Sequence, residues 1–441
     1  MKVTLEGHDE RHTARAGADR VMTVHAQERE QPADDLLRSH RGFRLLFASD
    51  AISRTGGQVT LVALPLIAVL VLHASAQQVG FLVMASTLAF LVVALPAGIW
   101  VDRLRQRPVM VAADLIRALA LLSVPVTVAF GALSLEQLYV VALVTGVGNV
   151  FFDVAQQSYV TYLLGKDRLL AGFSKLEVAG NGSLLVGSPA AGALVQWITA
   201  AGAVAFNAAC HLVSAGMLGR IRPREPEVRR TGARPRLHRE LVTGLRYVVG
   251  QPILRRVALH GMIALLFEYA LLTVQPLLLV NTLGLGAAAY GVVTGAIAVG
   301  GVVGSVFANR VVSRLGIART LWLPFAVTFP LLLLMPLVGG GWLVALYPLG
   351  YAAYIGGSAI QNVAQITYRQ AVCPPELLGR MNSAMRFLMW GMMPVGGLLG
   401  GFLIQVVGER FALWVCAVGM LASALPMLGG SVFRLPRDAG I

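Results

Sequence analysis

Apolar stretches of membrane-spanning length follow one another from Phe43 to about residue 431. A helix needs roughly 20 mostly apolar residues to cross the hydrocarbon core. Segments near 44–72, 78–101, 108–131, 135–160, 173–197, 199–219, 254–282, 288–312, 318–338, 341–368, 381–406 and 409–431 meet that length. They fall into two groups of six, separated by a basic segment. A closed β-barrel is the other way to span a bilayer, but these runs are too long for its strands and do not alternate. Only 13% of the residues are charged and mean hydropathy is +0.70, against about 25% charged residues in soluble proteins. This composition argues against a soluble enzyme and against extended disorder. The chain reads as an all-α membrane protein with twelve transmembrane helices.

The expected organisation follows from these runs. Residues 1–42 are polar, lack an apolar signal core and read as a disordered cytoplasmic tail. A first six-helix bundle covers 43–219, a basic cytoplasmic linker 220–253, a second bundle 254–431 and a cytoplasmic tail 432–441. The formal net charge is +14, and its placement sets the orientation. The odd-numbered connections carry one basic residue, Arg410. The even-numbered ones carry Arg103, Arg105, Arg107, Lys166, Arg168, Arg310, Arg314 and the cluster Arg220 to Arg256. Positive charge stays inside, so both termini are expected on the cytoplasmic side of the inner (plasma) membrane. Segment 220–256 holds eleven Arg and three Glu. It reads as a linker touching anionic lipid headgroups, and no binding module or aromatic interleaving points to nucleic acid. Cys210, Cys373 and Cys416 show no metal or disulfide spacing, and the scattered histidines suggest no metal site. No cofactor is expected.

The two groups of six are related. At an offset of 209, residues 148–196 align with 357–405 without a gap. Gly148 falls on Gly357, Gln156 on Gln365, Tyr159 on Tyr368, Gly187 on Gly396, Gly192 on Gly401 and Gln196 on Gln405. At an offset of 207, Asp102, Arg103 and Arg107 fall on Asn309, Arg310 and Arg314. Matches at polar positions argue against chance likeness between apolar helices. Six-span halves in parallel repeat are expected to rock about a site near the bilayer midplane.

The segment Gly98-Ile-Trp-Val-Asp102-Arg103-Leu-Arg-Gln-Arg107 follows the second span. It resembles the loop signature of the major facilitator superfamily. Leu95-Pro96-Ala97-Gly98, Ala112 to Ala118 and Phe151 to Tyr159 are similar to the multidrug and macrolide exporter branch, in the neighbourhood of the enterobactin exporters. The resemblance implies the major facilitator fold in two pseudo-symmetric bundles and a secondary transporter. It also implies that Gly98, Asp102, Arg103 and Arg107 help lock the halves together on the cytoplasmic side. Asp114, Arg117, Glu177 and Arg386 lie within about two turns of that face and are read as further parts of this charged gate.

An ionisable residue within a span costs roughly 2.5–3.5 kcal/mol on insertion scales, so it usually lines a cavity or has a partner. In span 4, Asn149, Phe152, Asp153 and Gln156 share one face by helical spacing. The repeat places Ser358, Gln361, Asn362 and Gln365 on the equivalent face of span 10, extended by Tyr351 and Tyr354. Two symmetry-related polar stripes suggest a shared aqueous substrate cavity; hydrogen bonding between helices is the alternative. In span 7, Glu268 lies near the middle, with His260 and Gln275 on roughly the same face. Glu268, Asp153 and Asp50 are the proton-coupling candidates. Asp50 and Arg54 stand four apart in span 1, as an intrahelical ion pair or as cavity residues, and Gln58 continues their face.

No ATP-binding loop is present. The reading is a secondary transporter, not an enzyme, that exports amphipathic small molecules in exchange for protons as a monomer in the lipid bilayer. Export of an endogenous siderophore or antibiotic, import by the same fold, and a non-transporting sensor or assembly partner are the alternatives.

Overall fold

The computed structural model describes residues 35–93, 97, 100–101, 104–165, 168–221 and 237–428. Its spans are α1 (Arg41–Leu70), α2 (Ala76–Val92), α3 (Gln106–Ala129) and α4 (Leu135–Leu164). A run Leu169–Gly219 is divided at Thr199 into α5 and α6. Then follow α7 (Pro252–Pro276), α8 (Ala287–Leu315), α9 (Ile317–Val327) and α10 (Leu346–Val372). Gly391 divides α11 into Pro375–Trp390 and Met392–Val407, and α12 is Glu409–Ala422. Among the described residues, ten helical runs are long and apolar enough to cross a bilayer, and α2 is a shorter apolar helix.

Short polar residues set where these helices start. Ser75 and Gln78 cap α2 reciprocally, with the Ser75 N–H donating to Gln78 Oε1 at 2.7 Å. This pairs amides that a helix start otherwise leaves open. His40 Nδ1 accepts from the Phe43 N–H at the start of α1, and Ser134 accepts from the Gln137 N–H at the start of α4. Pro330 and Pro336 remove amide donors after α9, which tightens there into 3-10 turns over Phe329–Leu337.

Successive spans run antiparallel, so the connections divide between two faces. One, the distal face, carries the connections at 71–75, 130–134, 199, 283–286, 338–340 and 408. The other, the tail face, carries both described ends. Polar contacts pin each face. On the distal side Tyr139 OH donates to the Gln78 carbonyl at 3.2 Å, Arg410 donates to the Val338 carbonyl at 2.9 Å, and Thr282 bonds Glu409. On the tail side Arg107 donates to the Leu218 and Gly219 carbonyls that end α6. Phe130, Trp197 and Trp342 stand about 80% exposed at distal helix ends, where aromatic side chains anchor a membrane protein at the water interface.

The repeat is visible in the backbone. Thr199 divides α5 from α6 at φ 72° and ψ 163°, and its mate Gly408 divides α11 from α12 at φ 78° and ψ 165°. Glycine adopts this conformation freely; a threonine there stores about 1–3 kcal/mol of strain. Thr199 also caps α6 through the Gly202 N–H, but glycine is only a few tenths of a kcal/mol poorer than threonine at such a position. Thr199→Gly is therefore expected to raise stability by about 1 kcal/mol, read as a higher Tm in detergent; an unchanged or lower Tm refutes the strain argument.

The halves α1–α6 and α7–α12 meet along two seams, α2 with α11 and α5 with α8. Glycine makes both seams close near the distal face. A Cβ on Gly80 would lie 2.7 Å from the Gly397 carbonyl oxygen, one on Gly401 2.8 Å from that of Ala76, and one on Gly192 2.6 Å from Gly291 Cα. Gly192 and Gly401 are repeat mates, so the seal has the pseudo-symmetry of the sequence. Gln77 bonds Gln405 across the first seam. Small residues serve here because helices in lipid gain from close backbone packing.

Two segments read as tail and linker contain structure. Asp35–Ser39 is a short helix, and Leu36 is buried in a cluster with Phe43, Met110 and Leu218. The disordered tail expected over 1–42 is thus corrected for 35–42: an apolar residue there finds a core to dock on. Within the linker, Leu237–Gly250 is an amphipathic helix lying on the tail end of α11. It buries Val248, and its Tyr247 OH donates to the Val372 carbonyl at 3.3 Å.

Candidate functional site: two adjoining cavities

A cavity of about 660 Å³ lies largely within the second half. Its walls come from α7, α8 and α10, with Gln58, Leu61 and Val62 of α1 on one side and Met389 and Trp390 of α11 on another. Helical spacing builds the α10 wall: Tyr351, Tyr354, Ser358, Gln361, Asn362 and Gln365 all face it. His260, Glu268 and Gln275 face it from α7, and Tyr290 and Thr294 from α8. The aromatic side is a run of ring contacts. Tyr351 and Tyr354 stack with centroids 6.1 Å apart, and Tyr354 rests on Phe329 at 4.7 Å, itself edge-on to Phe325 at 4.8 Å.

The polar groups of this cavity differ in how far they are committed. His260 is buried, with Nδ1 3.0 Å from the Ser423 carbonyl oxygen. A carbonyl only accepts, so Nδ1 carries the proton; the ring also stands edge-on to Phe325 at 5.0 Å. Gln361 spends its amide donor on the Leu321 carbonyl. Glu268 is half-buried on the wall and makes no hydrogen bond or ion pair among the described residues.

A second cavity of about 230 Å³ lies between the halves. Arg54, Phe90, Asp153, Gln156 and Gln157 line it from the first half, and Ser383, Arg386, Phe387 and Trp390 from α11. Trp390 borders both cavities. Its indole is edge-on to Phe90 at 5.5 Å, and the Arg386 guanidinium lies over its face at 5.2 Å. Asp50 borders neither. It is buried behind Arg54, whose Nε lies 2.9 Å from both of its carboxylate oxygens. The ion pair is formed, and Arg54, 43% exposed, still reaches the cavity.

Other expected site residues lie elsewhere. Asp114 accepts from Arg117 Nη2 at 2.6 Å and Ser214 Oγ at 2.6 Å, and its Oδ1 lies 2.9 Å from His211 Nδ1, within reach of Ser53. Arg117 continues to Asn149 Oδ1 at 2.6 Å and lies 4.7 Å over the Phe152 ring. Asn149 and Phe152, grouped with the cavity by their spacing, therefore belong to a polar network inside the first half: the Arg117 guanidinium is the nearer partner. Asp114 and Arg117 pair with each other there, inside the first half. Arg107 binds the end of α6 within its own half. Arg386 faces the small cavity. Gly98, Asp102 and Arg103 lie outside the described residues, as does the side chain of Glu177.

Sequence reasoning missed Trp390, Ser383, Tyr290, Thr294 and His211. Trp390 stands one turn after Arg386, and Thr294 one turn after Tyr290; the lack of charge kept them unmarked.

A family model for the major facilitator superfamily matches residues 46–397. The chain belongs to the major facilitator superfamily. As a member, it is a multi-pass membrane protein and a transporter of small molecules. It is 28% identical over 437 residues to the multidrug efflux pump Tap of Mycolicibacterium fortuitum, covering 90% of this chain and 96% of that one. It is 27% identical over 183 residues to the uncharacterized MFS-type transporter YfiS of Bacillus subtilis, covering 42% of this chain and 43% of that one. Among solved superfamily structures, the nucleoside transporter NupG superposes with a TM-score of 0.70 at 11% identity, covering 90% of this chain and all of the other. An inward-facing bacterial homologue of the iron transporter ferroportin superposes with 0.67 at 16% identity, over 88% and 98%. These likenesses concern the fold.

Proposed function

We propose that this transporter exports amphipathic small molecules across the inner membrane in exchange for protons, as a monomer, with the tail face and both termini in the cytoplasm. One observation carries the proton reading: a cavity of a size to hold a drug-like molecule presents Glu268, an acid with neither ion pair nor hydrogen bond among the described residues. An acid in such a place can give up its proton to one side of the membrane and take the other ligand in its stead. Asp153, in the small cavity, is the second candidate carboxylate, and Asp50, held by Arg54, the third. Similarity to the efflux pump Tap supports export. The weight of arginine on tail-face connections supports the orientation.

The distal seal and the cavities beneath it correspond to an inward-facing state, ready to load from the cytoplasm. Alternating access then requires the seal to part. Purified protein in proteoliposomes tests the whole reading. An imposed proton gradient is expected to drive tetraphenylphosphonium against its concentration gradient, and collapsing the gradient to stop it; transport indifferent to the gradient refutes antiport.

The seal gives a further prediction. A Gly401→Val side chain meets the Ala76 backbone only when the halves are closed distally. An overpacking penalty of about 1–3 kcal/mol falling on one state shifts the balance about 5- to 150-fold toward the other. Labelling of a cysteine at Val83, which is buried against Gly397 in this seam, by an impermeant thiol reagent from the distal side is expected to speed up accordingly. Unchanged labelling refutes the assignment of this seam as the seal.

A further inference from the structure

Arg386 and Asp153 carry opposite charges, sit on opposite halves and line the same small cavity. Among the described residues neither makes an ion pair. Arg386 instead lies over the Trp390 indole at 5.2 Å, and Phe90 of the first half holds that ring edge-on. Trp390 also borders the large cavity, whose side chains include tyrosines and Glu268 but no lysine or arginine. Indole is the strongest aromatic partner for a cation. Here its face is occupied by a cation belonging to the protein itself, next to a chamber suited to a cation from outside.

We propose that Trp390 is the cation-selecting residue of this transporter, and that an organic cation settling on its indole releases Arg386 to pair with Asp153 across the two halves. The inference rests on the export reading and names its substrate class. Arg386 acts as a tethered stand-in for substrate. While it stays on Trp390, Arg386 acts on Asp153 only at a distance, and no ion pair joins α4 to α11 here among the described residues. Once displaced, it lies in a cavity whose opposite wall carries a carboxylate, and the pair draws the tail sides of α4 and α11 together. Substrate binding thereby promotes closure of the side from which substrate entered. Asp153 also faces Arg54, and within its own half it feels Arg117 and Asp50; a proton on it removes the attraction to Arg386, so protonation and loading act on one contact in opposite directions.

Full-length protein in nanodiscs, with tetraphenylphosphonium as the probe, tests this. Binding is followed by calorimetry. Closure is followed by the distance between spin labels at Thr161→Cys on α4 and Gly379→Cys on α11, the three native cysteines being buried. The unaltered protein is expected to bind the probe and to shorten the distance. Trp390→Leu is expected to bind about tenfold more weakly, with Trp390→Phe in between as a check on packing. Arg386→Gln is expected to bind at least as tightly as the unaltered protein and to leave the distance unchanged, and Arg386→Lys to restore the shortening. Full-strength binding by Trp390→Leu, or normal shortening in Arg386→Gln, overturns this proposal alone. Absence of binding by the unaltered protein overturns it together with the cation reading of the large cavity.

Discussion

Glu268→Gln is expected to leave the protein folded and to abolish proton-driven accumulation. Glutamine keeps the shape and the hydrogen-bonding capacity of glutamate but carries no exchangeable charge. Each proton entering down 100 mV supplies about 2.3 kcal/mol, which sustains a concentration ratio of about 50-fold. Loss of one coupled proton therefore removes about that factor from the steady-state gradient. Exchange of labelled for unlabelled substrate across the membrane, which needs no net proton movement, is expected to continue. This split separates loss of coupling from loss of binding or folding. Gradient-driven accumulation at the unaltered level by the Glu268→Gln variant would remove this residue from the mechanism and transfer the role to Asp153, for which Asp153→Asn is the companion measurement.

Asp114→Ala is expected to have the largest effect on stability. Asp114 is fully buried and takes bonds from Arg117 and Ser214, with His211 alongside. Its removal strands Arg117, 3% exposed, without its counter-charge. Breaking a buried pair from one side costs about 3–5 kcal/mol, because an uncompensated charge remains. Removing the charge as well relieves most of that cost, so Asp114→Ala combined with Arg117→Met is expected to recover much of the loss. Unfolding in a titration with denaturing detergent checks both. Equal stability of the single variant and the unaltered protein, or no recovery in the double variant, refutes the account. The experiment also tests whether this network is structural: transport by the double variant near the unaltered rate places it outside the coupling machinery.

Span number and order were legible in the sequence because the bilayer demands about 20 apolar residues per crossing, which few other structures need. The repeat was legible because Gly192 and Gly401 are held by close helix contacts in both halves. The conformation shared by Thr199 and Gly408 was hidden, since the identities differ and only the dihedral angles agree. The α10 wall of the large cavity could be grouped by periodicity, as Tyr351, Tyr354, Ser358 and Gln361 repeat at helical spacing. The same rule placed Asn149 and Phe152 with Asp153, and there it misled. Periodicity assigns a face to a helix but does not say which neighbour meets it, and in α4 that neighbour includes Arg117. The linker helix was obscured by its arginines, which read as a solvated run until the helical turn set Leu241, Leu245 and Val248 on one side.

The large cavity is divided unequally: three residues of α1 belong to the first half, while α7, α8, α10 and α11 of the second half supply the rest. A carrier built this way keeps most of its large chamber, Glu268 included, on one stretch of gene and the Asp114 network on another. Changes that widen or shift the range of transported compounds can accumulate between residues 260 and 390 without touching the Asp114 network or the Asp50–Arg54 pair. Recombination at the linker could then exchange one specificity for another in a single step, leaving the first six helices as a common chassis.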